Sequence, residues 1–137
     1  MVFKLDRAIT KEVRKLNRDR ITLILGASES RIRYSNKAAE RLLLANEKIV
    51  QVGKRPGEAF GEPILSEWPI DADIHTVTLY LNPGHQKPWY NQIVDSKPQR
   101  VIFNPGTENP ELVALLSENR IPFEHACTLV LLAVGQY

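Results

Sequence analysis

The chain has 137 residues, 43% hydrophobic and 25% charged, with a formal net charge of +2, which is the make-up of one soluble globular domain. Its longest apolar run, LVLLAV at 129–134, is far too short to cross a bilayer, and the charged start MVFKLDR carries no secretory signal. A single cysteine, Cys127, leaves no disulfide framework or cysteine metal cluster and fits a reducing cytoplasm.

Charge is unevenly spread. Residues 1–20 form a basic arm with seven Lys/Arg against three acids, a net of +4, so the rest of the chain sums to −2. The body, residues 21–137, is therefore not a nucleic-acid binder by charge. Within the arm Phe3, Leu5, Ile9, Val13 and Leu16 recur at mostly three- and four-residue steps. That spacing predicts an amphipathic helix packing on the domain or on a second copy of the chain.

After the arm, ITLIL at 21–25 is a continuous apolar run of strand length that stops at Gly26. Ala38, Ala39, Leu42 and Leu43 then mark a helix with one apolar face, for which Ser35 is the expected N-cap. Residues 48–52 form a short strand closed by Gly53. Residues 54–69 contain Gly57, Gly61, Pro56, Pro63 and Pro69 and read as a long irregular connection.

HTVTLYL at 75–81 is a third strand, stopped by Asn82-Pro83-Gly84. Pro88 is expected to open a helix that turns Trp89, Ile93 and Val94 inward. Residues 100–103 make a fourth strand, stopped in the same way by Asn104-Pro105-Gly106, and Asn109-Pro110 caps a helix over 111–119. A short strand is expected near Phe123, whereas CTLVLLAV fits a strand or a buried helix by pattern alone.

Short apolar strands alternating with amphipathic helices predict an α/β fold with a parallel sheet covered on both faces. Right-handed crossovers then bring Gly26-Ala27-Ser28, Gly53-Lys54-Arg55, Asn82-Pro83-Gly84 and Asn104-Pro105-Gly106 to one edge. Ligands of open α/β sheets bind outside that edge, where strand order reverses.

The first of these loops has the chemistry of a phosphate site. Gly26 permits a tight turn, the following helix offers its positive end, Ser28 and Ser30 carry hydroxyls, and Arg31 or Arg33 supplies charge. Dinucleotide sites for NAD place a carboxylate after the second strand, but here Lys54 and Arg55 stand there and no acid follows until Glu58. A basic pair at that point favours an adenosine ribose bearing a phosphate, as in coenzyme A or NADP. Tyr34 stands where it can stack on a base or pack in the core. Catalytic and metal-binding constellations are thin. His75, His85 and His125 have no metal-ligand spacing, and Cys127 beside TLVLL reads as packing.

The order GAS, Tyr-Ser, IVQVG-Lys-Arg, HTVTLYLNP, RVIFNPGTEN and a late Cys resembles the small stand-alone CoA-binding domain proteins. These are similar to the N-terminal domain of the succinyl-CoA synthetase α subunit. The resemblance covers about residues 20–137 and implies a three-layer Rossmann-like fold with a five-stranded parallel sheet. It implies that Gly26, Ala27 and Ser28 wrap a diphosphate with backbone N–H groups, beside Tyr34 and Ser35 at the start of the first helix. Gly53 and Lys54 would meet the adenosine phosphate, and Asn82, Pro83, Asn104, Pro105 and Gly106 would line the nucleotide. The chain differs from many relatives at Phe103-Asn104-Pro105 and at His125-Ala126-Cys127. No residue carries over as catalytic.

The expectation is a cytoplasmic protein that binds CoA or an acyl-CoA and has no catalytic machinery of its own. An NADP-dependent oxidoreductase or redox sensor, and a protein-interaction module with a vestigial nucleotide site, are the alternatives.

Overall fold

The computed structural model describes residues 20–137, so the helix expected in the basic arm lies outside the described residues. The chain order is β1 (Ile21–Leu25), α1 (Tyr34–Leu44), β2 (Lys48–Val52), β3 (Gly57–Ala59), β4 (Glu62–Leu65) and β5 (Ile74–Leu79). It continues through α2 (Pro83–Gln86), a 3-10 turn (Lys87–Trp89), α3 (Tyr90–Asp95), β6 (Arg100–Phe103), α4 (Pro110–Glu118), β7 (Phe123–His125) and α5 (Thr128–Ala133).

The architecture is α/β and Rossmann-like, but the sheet has seven strands in the order β3-β4-β2-β1-β5-β6-β7 rather than the five expected. All pairs are parallel except β3 with β4, so the sheet is mixed. The two extra strands come from residues 54–69, which the prolines and glycines marked as irregular. They are a hairpin whose two-residue turn, Phe60 (φ 56) and Gly61 (φ 77), has positive φ at both positions. That is the backbone a twisted two-stranded hairpin requires, and Pro63 sits in β4 ahead of Ile64 and Leu65, the two residues of that strand that pair with β2.

Other boundaries shift for local reasons. The third strand ends at Leu79, and Asn82 is not a stop but the N-cap of α2, with Pro83 in the first turn. Helix α1 is capped by Arg33 in extended conformation, so Ser35 lies inside its first turn and is buried. Asn109 does cap α4, accepting from the Glu111 and Leu112 amides. The ambiguous tail resolves into β7 and α5.

Alternation along the strands feeds two cores. One face buries Leu23, Leu25, Val52, Val77, Leu79, Val101 and Phe103 against Ile93 of α3 and Leu112 and Leu116 of α4. The other packs Ile24 and Ile49 against Ala39 and Leu42 of α1, with Leu132 of α5 alongside. Each fully buried Leu, Ile or Phe contributes about 1.5–3 kcal/mol relative to exposure. Because β2 lies on one side of β1 and β5 on the other, strand order reverses at β1, and the carboxyl ends of β1 and β5 frame the switch point.

Candidate functional site

A cleft of about 1210 Å³ opens at that switch point, lined by the loops after β1, β2, β5 and β6 and by the start of α5. It is large enough for a ligand of dinucleotide size. The loops approach one another closely because glycine stands at two contacts. Gly26 (φ +101) turns the chain out of β1 beside Tyr80 and Leu81, and a Cβ at Gly53 would lie 2.4 Å from the Ala27 carbonyl oxygen.

The loop after β1 divides into committed and available amides. Gly26 and Ala27 both donate to the Val52 carbonyl, at 2.8 and 3.0 Å. Both amides are thus engaged within the fold, at positions where the resemblance implied diphosphate donors. The Ser28 and Glu29 amides, and those of Tyr34 and Ser35 in the first turn of α1, meet no acceptor among the described residues. The buried Asn36 amide donates to the Ser28 carbonyl at 2.9 Å and the Ser30 N–H to Ser28 Oγ at 3.1 Å, which fixes the loop's shape. A helix of eleven residues points its positive end here.

Arg33, Lys54 and Arg55 rim this cleft, all exposed, and none forms an ion pair among the described residues. Arg31, expected beside the phosphate, instead pairs with Glu40 at 3.1 Å and lies over the Phe60 ring. Gly53 is a buried spacer whose amide donates to Leu65, and Pro83 serves the first turn of α2; neither lines the cleft. The remaining residues singled out from sequence, among them Gly26, Ala27, Ser28, Tyr34, Ser35, Asn82, Pro105 and Gly106, do converge on it.

Asn104 also reaches the cleft, but its amide is spent inside the fold. It donates to Thr78 Oγ1 and the Leu79 carbonyl at 2.7 and 2.9 Å and accepts the Thr128 N–H at 2.8 Å, pinning α5 to the sheet. Asn82 similarly uses its side chain as a cap for the His85 amide.

Sequence reading passed over Tyr80, which lines the cleft beside Thr78 and Thr128; burial pushes its phenol up to about 12. It also passed over Gln86, whose side-chain amide donates to the Leu81 and Thr107 carbonyls, both at 2.8 Å, and so fixes the loop after β5 to the loop after β6. Asn109 Nδ2 donates in turn to Gln86 Oε1, a pairing that no signal in the sequence around residue 86 announces. Cys127 lines the cleft, whereas the His125 ring stacks on Phe103 at 5.0 Å. The two therefore do not form a thiol–imidazole pair. Among the described residues no group of His, Cys, Asp and Glu could hold a metal ion, and no helix is long and apolar enough to cross a membrane.

The model of the CoA binding domain family matches residues 20–133. Among solved structures, the chain is similar to an uncharacterized protein known from its crystal structure, with 48% identity and a TM-score of 0.83 over 86% of this chain and 98% of that one. A Thermus thermophilus protein matches at 18% identity and a TM-score of 0.78, covering 93% and 98% of the two chains. A hypothetical protein from Pyrococcus horikoshii OT3 matches at 21% and 0.74, covering 88% and 87%; these two support the fold alone. No curated protein matches the chain.

Proposed function

The chain belongs to the CoA-binding domain family, and on that premise we propose that it binds coenzyme A or an acyl-CoA in the cleft at the carboxyl edge of its sheet. The observation that carries the reading is the trio Arg33, Lys54 and Arg55, three cations around one cleft that form no ion pair among the described residues. A ligand with negative charge at two separated places fits them. The diphosphate takes the Ser28 and Glu29 amides, the first turn of α1 and Arg33. The adenosine 3′-phosphate takes Lys54 and Arg55 through charge-assisted hydrogen bonds. The uncharged pantetheine then runs past Tyr80, Leu81, Thr107 and Leu129. These residues bind and orient, and the reading gives none of them a step in covalent chemistry.

A thermal-shift panel of CoA, 3′-dephospho-CoA, acetyl-CoA, NADPH and NADH tests it. A ligand present at 100 times its dissociation constant adds about 2.7 kcal/mol, or roughly 10 °C in a domain of this size. A larger shift with CoA than with dephospho-CoA is expected. A response to NADPH alone would replace CoA by NADP, and silence throughout would leave an interaction module.

A further inference from the structure

The basic pair sits in a loop that is tied at both ends to the loop after β1. At the near end, the Gly53 backbone lies against the Ala27 carbonyl, with no room for a side chain. At the far end, the Glu29 carboxylate accepts the Glu58 N–H at 3.2 Å. The same carboxylate rests on Gly57, where a Cβ would fall 2.6 Å from its carboxyl carbon. Lys54, Arg55 and Pro56 lie between the two ties. The hairpin that follows is braced from elsewhere as well. Gln51 Nε2 donates to the Ala59 and Glu62 carbonyls at 3.4 and 3.2 Å, and the Arg31 guanidinium lies 5.1 Å from the Phe60 ring centre.

Glu29 is out of place by charge. It lines the same cleft as Arg33, Lys54 and Arg55, where a carboxylate opposes any phosphate. Its bond to the β3 amide gives a reason for a carboxylate at this position that is independent of ligand charge.

Resting on the CoA reading above, we propose that Glu29 is a positioning residue for the ribose-phosphate end of the site. Its carboxylate ties the first strand of the hairpin to the diphosphate loop and so sets where Lys54 and Arg55 stand. Recognition of the ribose phosphate then depends on the Glu29 side chain, while the diphosphate, on the other side of the tie, meets only the Glu29 main-chain amide.

The test compares the wild-type chain with Glu29→Ala and Glu29→Gln. Each is titrated with CoA and with 3′-dephospho-CoA, and exchange of the Glu58 amide is followed by NMR without ligand. Glu29→Ala is expected to lose roughly three- to ten-fold of the preference for CoA over dephospho-CoA, the scale of one hydrogen bond to a charged group at an exposed site. It should change dephospho-CoA binding less than CoA binding and expose the Glu58 amide. Glu29→Gln, whose side-chain carbonyl still accepts that amide, should restore both.

An Ala variant that keeps the full preference overturns the proposal, as does one that weakens both ligands by the same factor. Tighter CoA binding by Glu29→Ala also overturns it, because that is relief of repulsion. A wild-type chain that binds the two ligands equally removes the ribose-phosphate reading and the proposal together. A discriminating wild type beside an equally discriminating Ala variant removes the proposal alone.

Discussion

The two faces of the sheet are made by the same strands, yet they are held in different ways. Beneath α3 and α4 the strands present Leu23, Leu25, Val52, Val77, Leu79, Val101 and Phe103, an aliphatic and aromatic layer whose cohesion has no direction. Beneath α1 and α5 the same strands present Thr22, Gln51, Thr76 and Thr78, with Asn104 just past β6, all buried, interleaved with Ile24 and Ile102. Thr78 Oγ1 and Thr128 Oγ1 bond across to α5 at 2.8 Å, and Arg100 Nε donates to Thr76 at 3.3 Å. The cleft floor, Tyr80 and Asn104, is the upper end of this second face. Directional bonds therefore shape the cleft edge, while the opposite face carries the larger apolar cluster.

Removing a large side chain from the aliphatic face should give the largest effect. Phe103 is 1% exposed, and Phe103→Ala is expected to lower unfolding free energy by about 3–5 kcal/mol in denaturant titration. A loss below 1 kcal/mol would erase the contrast between the faces.

On the polar face, Asn104→Ala strands the Thr128 amide and the Leu79 carbonyl and should cost about 2–4 kcal/mol. Unlike Phe103→Ala, it should also weaken CoA binding in a titration, because α5 lines the cleft.

Tyr80 gives an alkaline signature. Its folded pKa of about 12 lies above the ordinary value of 10, so the unfolded chain ionises first. The stabilisation is complete below pH 10 and lost between pH 10 and 12, roughly 2–3 kcal/mol in all. Tyr80→Phe should flatten that part of a stability–pH curve, and an unchanged slope would show that the phenol is not held in its neutral form.

The smallest effect lies on the acid side. Burial, followed by the Arg20 and Arg100 charges, lowers the His75 pKa below the usual 6.5. The unfolded chain therefore binds the extra proton more readily. Stability is complete above pH 6.5 and declines as pH falls from there through the folded value. His75→Gln should remove that decline in thermal melts taken between pH 7 and 5.

The aliphatic face was the legible one. ITLIL at 21–25, IV at 49–50 and VIF at 101–103 are short, largely apolar β-branched and aliphatic stretches, and such stretches mark buried parallel strands however the chain packs around them. The hairpin was not legible because its turn uses Phe60 at positive φ, a residue that rarely accepts that backbone, and because Gly57 and Pro63 look like loop punctuation. Asn-Pro occurs three times and means two things. At 109–110 it caps a helix as read, at 82–83 it caps another, and at 104–105 the asparagine turns inward to hold α5. Sequence marks the backbone event there but not which way the amide faces. Around the cleft, Lys54 and Arg55 were readable because a charge replaced its opposite, whereas Gln86 joins a nearby carbonyl, Leu81, to a distant one, Thr107, and has no local signature.

The described chain starts and finishes at one place. Arg20 and Arg100 lie over the Tyr137 ring at 5.3 and 4.5 Å, and Tyr137 bonds Thr22 at the entry to β1. That is the amino edge of the sheet, a full strand length from the cleft. A fluorophore attached at residue 137 is thus carried on the side facing away from the cleft. Binding assays read from a label there should report the same affinity as measurements on the unlabelled chain.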